Sequence, residues 1–215
     1  ETDIDLVRVC SYEEQLDEAL EKCRGLKDLG YEVSLNVICT SYIDVDSFVK
    51  IREKLLTEDF LDFVCFADSY GALTPDYVKK IMTLFRNMNP NVLIGFHSHD
   101  NMSLSMANTI TAIENGADMV DGTYTGMGRG GGNLRLELIT LYLALNKDYN
   151  FELSDLFEYL DVYITDESRK KRTKEAICGM LNVHPYRLDQ IKEKPISEIF
   201  EELRVLDLDK KKRYP

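Results

Sequence analysis

The stretch VLIGFHSHD, Val92 to Asp100, is a run of β-branched and aromatic residues that ends in two histidines. DFVCFADS, from Asp62, has the same character and starts 30 residues earlier. Working outward, EVSLNVIC starts at Glu32, DLVRVC at Asp5 and MVDGTYTG at Met119, so successive runs begin 27, 30, 30 and 27 residues apart. One strand, one helix and two short loops fill that interval, and the spacing predicts five strand-helix units in constant order. VLIGF lacks polar alternation, as expected of a parallel strand covered on both faces.

The segments between the runs have helical period. Leu16, Ala19, Leu20, Cys23 and Leu26 form one stripe of a helix over Tyr12 to Leu29, with Gly30 at its left-handed end. Asp44 precedes a helix carrying Val45, Phe48, Val49, Ile51 and Leu55, and Thr74, Pro75 and Asp76 open the next with a cap, a first-turn proline and an acid. Ser103 is placed to cap the helix after HSHDN and Gly116 to end it, while Asn133 or the loop before it starts a helix holding Leu134, Leu138, Leu141 and Leu145. The fold class is therefore α/β with a parallel sheet, either an open doubly wound sheet or part of a (β/α)8 barrel. Five units cannot close an eight-stranded barrel alone. Beyond about residue 150 only helices are predicted, over Phe151 to Leu160, Asp166 to Leu181, Pro185 to Ile191 and Ser197 to Leu203. The expected division is 1–150 for the sheet domain and 151–215 for a helical C-terminal extension, with the charge run Asp209 to Pro215 solvated.

The 215 residues carry 26 Lys and Arg against 38 Asp and Glu, a net charge of −12 that argues against nucleic acid as a partner. Hydrophobic residues at 44% are enough for a sizeable core. No apolar run is long enough to span a membrane, and Glu1 to Asp5 does not read as a signal peptide. Cys10, Cys23, Cys39, Cys65 and Cys178 are odd in number, scattered and without a C-x-x-C pair. They are expected to be reduced core residues of a cytoplasmic protein.

His97 and His99, two of the chain's three histidines, sit at i and i+2 on a strand end and project to the same side. Such a pair serves either one shared metal ion or a hydrogen-bonded structural arrangement. FADSYG, Phe66 to Gly71, ends the preceding strand and brings Asp68 and Ser69 toward the same opening. Asp68 there either accepts a hydrogen bond from a metal-bound histidine or caps its own loop. GMGRGGGN, Gly126 to Asn133, holds five glycines in eight residues, which allows positive φ and close backbone approach. It lacks a P-loop ending, and Gly126, Gly128 and Gly131 match the dinucleotide pattern only loosely. Arg129 is available to a carboxylate, Tyr70 and Tyr124 either line the mouth or pack beside it, and His184 in NVHPYRL reads as structural.

FADSYGALTP and IGFHSHDNMSLSMANTITAIENGADMVDGTYTGMGRGGGN together resemble the pyruvate-carboxyltransferase-like, or DRE-TIM metallolyase (HMGL-like), superfamily, and within it the 4-hydroxy-2-oxovalerate aldolase branch. The likeness covers about residues 5 to 146 in organisation and Phe66 to Glu137 closely. It implies a TIM-type barrel and a divalent-metal-dependent lyase that cleaves or forms a carbon-carbon bond of a small 2-oxo acid through a pyruvate enolate. It further implies His97, His99 and Asn133 as ligands of Mn²⁺ or Mg²⁺, with Ser69 against the keto acid and Asp68 beside it.

The family's first-strand Arg-Asp pair and its general-base histidine have no counterpart here. With the fifth unit taken as the eighth strand, the chain starts at the fourth, so three units, roughly 85 residues at one unit per repeat, are expected to be trimmed or supplied by another chain. The acid-base residues are therefore unassigned, with Tyr124 and Tyr186 as candidate proton donors. Two imidazoles and an amide form a neutral set that by itself holds a hard cation poorly. Rival readings are an acyl-CoA lyase or Claisen-type synthase, although GMGRGGGN lacks the cysteine of the lyase branch, and a non-catalytic barrel subunit that binds a partner or metabolite. The resemblance also implies a homo-oligomer, with an aldehyde dehydrogenase as a further partner, although the extension after residue 150 is unmatched in the aldolase branch.

Overall fold

The computed structural model describes residues 3–86, 88–147 and 149–207, so the charge run at 209–215 lies outside the described residues. The five expected runs are strands: β1 (Leu6–Ser11), β2 (Glu32–Val37), β3 (Phe63–Asp68), β4 (Leu93–Ser98) and β5 (Met119–Asp121). They pair in parallel in the order β1-β2-β3-β4-β5. A doubly wound sheet reverses its strand order at a switch point and carries helices on both faces. Here every crossover steps in the same direction, and right-handed crossovers then leave all the helices on one face. That is the winding of a barrel, and it decides between the two architectures.

The helices between the strands are α1 (Leu16–Asp28), α2 (Val45–Leu55), α3 (Pro75–Phe85) and α4 (Ser105–Glu114). Asp44 caps α2 by accepting from the Ser47 N–H at 2.8 Å, and Gly30 and Gly116 follow α1 and α4 at φ +94° and +107°. Ser103 does not cap α4. It adopts φ +58°, and the Asp100 carboxylate accepts from the Ser105 N–H at 2.9 Å instead, an acid being the stronger acceptor for a free first-turn amide.

Strand alternation separates the two faces of the sheet. Val33, Leu35, Val37, Val64, Phe66, Ile94 and Phe96 face the helices and pack on Leu16, Leu20, Phe48, Ile51 and Phe85. The Phe66 ring lies 4.4 Å from Phe85 and 5.9 Å from Phe48, centroid to centroid. The opposite face carries Arg8, Cys10, Ser34, Asn36, Cys65, Gly95, His97, Met119 and Asp121, aligned by the strand register. This face is concave. In a flat sheet β1 and β5 would lie about 19 Å apart at the usual strand spacing. Yet Arg8 Nη1 on β1 reaches Asp121 Oδ2 on β5 at 2.7 Å, and Arg8 Nη2 reaches Met119 Sδ at 3.5 Å. The sheet must therefore curl into a trough. Of the cysteines, Cys10 is exposed on this face, which corrects the expectation that all five are core residues, and all five are free thiols.

The chain groups into two compact units, Glu1–Leu134 and Arg135–Pro215. The second is helical: α5 (Leu136–Asn146), α6 (Leu153–Tyr163), α7 (Glu167–Met180), α8 (Pro185–Ile191) and α9 (Ile196–Asp207). The compact-unit boundary thus falls before α5, while the sequence pattern places the change near residue 150. Phe157 and Phe200 meet at 4.6 Å, tilted by 37°, in its core, Asp161 accepts from the Ile196 and Ser197 N–H groups at the start of α9, and buried Glu137 accepts from Arg135 at 2.9 Å. Among the described residues no helix is long and apolar enough to cross a membrane.

Phe66 is fully buried between sheet and helices, so truncation leaves a cavity in a close-packed layer. Phe66→Ala is expected to cost about 3–5 kcal/mol in urea unfolding. A loss below about 1 kcal/mol would mean that the outer face is not the core that holds this unit together.

Candidate functional site

His97 is the penultimate residue of β4, and His99 follows it into an isolated bridge with Asn133. Their rings stand 5.2 Å apart at 71°, at the carboxyl end of the strands, where ligands of barrel enzymes gather. Ser98 between them turns to the helix side, with its hydroxyl 3.1 Å from that of Thr109. His97 pairs in register with Asp121, and its Nδ1 lies 3.2 Å from Asp121 Oδ2. With the Nδ1 proton donated to that carboxylate, Nε2 presents its lone pair outward.

Burial acts to raise the Asp121 carboxyl, but the hydrogen bonds from His97 and Arg8, with the Arg8 charge, outweigh it and hold the group at about 2. Arg8 is raised in turn, chiefly by its hydrogen bond to Asp121. Burial, and then the neighbouring His97, push His99 below the usual imidazole range. That shift favours the neutral ring, the state in which an imidazole binds a cation.

The glycine loop folds down onto this tip. The Gly131 N–H donates to Asn101 Oδ1 at 2.7 Å, and the Asp100 N–H donates to the Gly132 carbonyl at 2.9 Å. A Cβ on Gly131 would stand 2.7 Å from Asn101 Cα, so only glycine permits this approach. Gly71 does the same from the β3 side at φ +57°, where a Cβ would meet the Asn101 nitrogen at 2.6 Å. The glycines thus serve backbone packing over Asp100 and Asn101. Asn133, at the end of the loop, donates Nδ2 to the Met127 carbonyl at 3.0 Å, while its Oδ1 is buried and has no hydrogen-bond partner. A buried acceptor without a partner is costly, and it fits a site made for a cation.

Ser69 and Asp68 separate. Ser69 Oγ accepts from the Cys39 N–H at 2.9 Å, which leaves its own proton to donate. Asp68 is fully buried on the helix side of β3, as its register with Ser98 requires, and accepts from the Ala72 and Leu73 N–H groups at 2.9 and 3.1 Å. The expectation that Asp68 faces the histidines is corrected: an odd-even shift along one strand sends its side chain to the other face. Asp121 stands where Asp68 was expected. Neither Asp121 nor Arg8 was singled out from the sequence, although each is a charged residue at an inward position of an otherwise apolar strand.

Tyr124 lies in a 3₁₀ turn, Tyr124–Gly126, after β5, and Arg129 is exposed. Tyr70 is exposed with its ring 5.1 Å from Tyr42. Tyr186 and His184 belong to the second unit, where His184 Nδ1 accepts from the Tyr186 N–H at 3.2 Å, the structural role expected of it. Among the described residues no group of three or more His, Cys, Asp and Glu could hold a metal. The donors that fit a divalent cation are two imidazoles and the Asn133 oxygen, a partial and uncharged set.

Residues 3–162 match the HMGL-like family model. The chain belongs to the HMGL-like family. It is 34% identical over 157 residues to the 4-hydroxy-2-oxovalerate aldolase of Bacillus thuringiensis, covering 73% of this chain and 45% of that one. Among solved structures, an N-terminal domain from Bacteroides vulgatus assigned to an aldolase has TM-score 0.63 and 28% identity, over 93% of this chain and 63% of that one. The carboxyl transferase domain of Rhizobium etli pyruvate carboxylase shares the fold at TM-score 0.59 and 20% identity, over 67% of this chain and 25% of that one. The chain spans about half the length of the curated relatives it matches. The 93% coverage by the Bacteroides structure reaches into the helical extension, whereas the family model ends at residue 162.

The depressed Asp121 carboxyl sets a pH dependence. A carboxyl held at about 2 in the fold and near 4 when unfolded adds stability that is present above pH 4 and lost as pH falls toward 2. Thermal unfolding between pH 5 and pH 2, in the presence of chelator, is expected to show a steeper loss for the wild-type chain than for Asp121→Asn. Parallel curves would remove Asp121 from the acid-sensitive set.

Proposed function

We propose that this protein is a divalent-metal-dependent aldolase or lyase acting on a small 2-oxo acid, as its 4-hydroxy-2-oxovalerate aldolase relatives are named. The observation that carries the reading is the convergence of His97, His99 and the unpartnered Asn133 oxygen at one strand tip. His97, His99 and Asn133 would hold the cation, which would supply Lewis-acid polarisation of a ketone oxygen. Of the two expected ions, Mn²⁺ suits paired imidazole nitrogens better than Mg²⁺.

The residues of this chain prepare that site before substrate arrives. Asp121, held by Arg8, fixes the His97 tautomer and ring plane. Ser69, whose oxygen is occupied by the Cys39 N–H, would donate its proton to the carboxylate of the keto acid. In cleavage of a 4-hydroxy-2-oxo acid, the C3–C4 electron pair passes to the pyruvate fragment as an enolate, the 4-hydroxyl proton leaves to a base as the aldehyde carbonyl forms, and C3 is then protonated. The chain would supply the last five strands of an eight-stranded barrel, with residues 1–150 as the barrel portion and 151–215 as the extension, and the base would come from outside these residues. A dehydrogenase that consumes the reactive aldehyde would suit this chemistry, and the homo-oligomer is proposed from the family resemblance alone.

Pyruvate release from 4-hydroxy-2-oxo acids by the full-length protein tests the reading. Chelation is expected to abolish it, and His97→Ala to lower it about 100-fold with retained circular dichroism. Activity that survived both changes would overturn the proposal. For Ser69→Ala, loss of one hydrogen bond to a charged group predicts a KM for the keto acid raised roughly tenfold or more. An unchanged KM with a lowered kcat would assign Ser69 to the reaction step instead of to binding.

A further inference from the structure

The side chains that α1, α2 and α3 bury are apolar, whereas three of the four that α4 buries are polar: Ser105, Asn108 and Thr109, beside Ala112. Such a face gives up hydrophobic burial. Departures of this kind from the rules of a core concentrate at functional sites. The face lies on the helix side of the sheet, behind the mouth, where Asp68 and Ser98 also point.

Its hydrogen bonds run to the segments that carry the site residues. Thr109 Oγ1 stands 3.1 Å from the hydroxyl of Ser98, the residue between His97 and His99. Asn108, fully buried, donates Nδ2 to the Leu73 carbonyl at 2.9 Å, at the far end of the loop that begins with Ser69. The near end of that loop is held by Asp68, whose carboxylate accepts from the Ala72 and Leu73 N–H groups and whose carbonyl accepts from the Gly71 N–H at 3.0 Å. Fixed at both ends, the loop lies directly on the histidine tip: a Cβ on Gly71 would stand 2.8 Å from the His99 carbonyl oxygen. α4 is tied to the same tip through Asp100, which caps it at the Ser105 N–H. Asn108 therefore closes a ring of contacts from His99 through Asp100, α4, Leu73 and Asp68 to Ser69. Its own Oδ1 is buried without a hydrogen-bond partner. A buried acceptor left unpaired lowers stability, so asparagine is a poor choice here for the fold alone.

We infer that Asn108 is a positioning residue for the reaction: through the Leu73 carbonyl it sets where Ser69 stands relative to His97 and His99, and so lets one keto acid be held at both ends. The inference rests on the keto-acid reading of the histidine and serine site. Asn108 touches neither the substrate nor the cation. Its effect comes from distance, since a shift of about 1 Å in a binding group far from the reacting atoms is felt strongly in the rate.

The test uses the full-length protein, with Mn²⁺ binding titrated by electron paramagnetic resonance and exchange of the pyruvate methyl protons into D₂O followed for KM and kcat. Asn108→Ala is expected to raise the KM for pyruvate about three- to tenfold while the Mn²⁺ dissociation constant stays within about twofold. Asn108→Ser, which leaves a smaller void, is expected to do the same and carries the test if the alanine variant does not fold. Because Asn108 acts through Ser69, adding Asn108→Ala to Ser69→Ala is expected to raise KM no further than Ser69→Ala does alone. A fall in urea stability with KM unmoved, a loss of Mn²⁺ affinity as large as the change in KM, or effects that multiply in the double variant would each overturn the positioning role alone. Wild-type protein that binds Mn²⁺ but shows no exchange would overturn the keto-acid reading and the role of Asn108 with it.

Discussion

A single line of charge, Arg8 to Asp121 to His97, governs the first unit. It spans from β1 to β5 across the concave face, and it can close only if the sheet curls. The same carboxylate that accepts from Arg8 on one side orients an imidazole on the other. Curvature and site geometry therefore share one acceptor, and a change in either is felt by both. Burial opposes the charge on Asp121, and two donors with one cationic neighbour overcome that opposition. The interaction survives partial burial because it is bidirectionally hydrogen-bonded, not because an ion pair at this exposure is strong by itself.

The two faces of the sheet divide the work. The helix-facing residues are large and apolar, and the Phe48, Phe66 and Phe85 cluster ties three successive elements, α2, β3 and α3, to one another. The concave face carries small and polar groups, Ser34 with Asn36, Cys65 and Gly95, over which Arg8 passes. Stability is built on one side, which leaves the other free for chemistry. Backbone strain follows the same division: Cys39, Ser103 and Thr125 all hold positive φ, and all three lie in loops at the carboxyl ends of the strands. For Thr125, a β-branched residue, that conformation is especially unfavourable.

Much of this was legible in the residues. A spacing of 27 to 30 residues marked all five strands, and apolar stripes marked the first two of the helices between them while end signals marked the other two. His97 and His99 were legible as a pair because a strand's period of two is rigid over so short a distance. Asp68 was not, because the same rule applied one residue off sends it to the core, and only the paired register with Ser98 reveals the phase. Ser103 failed as a cap for a related reason. Two acceptors competed for one amide, and their distances were set by a turn that the sequence pattern leaves open.

The order of residues alone determined the repeat, the parallel class, the position of the histidine pair and the glycines that a close backbone approach demands. These depend on contacts or periodicities within about 30 residues, where chain connectivity limits the alternatives. Tertiary structure alone decided that Asp121 and not Asp68 serves His97, that Arg8 reaches Asp121 across 113 positions of sequence, and that Asn133 is left with an unpaired oxygen. Each of these needs the curl of the sheet. That curl arises from many strand twists acting together, so no single segment encodes it.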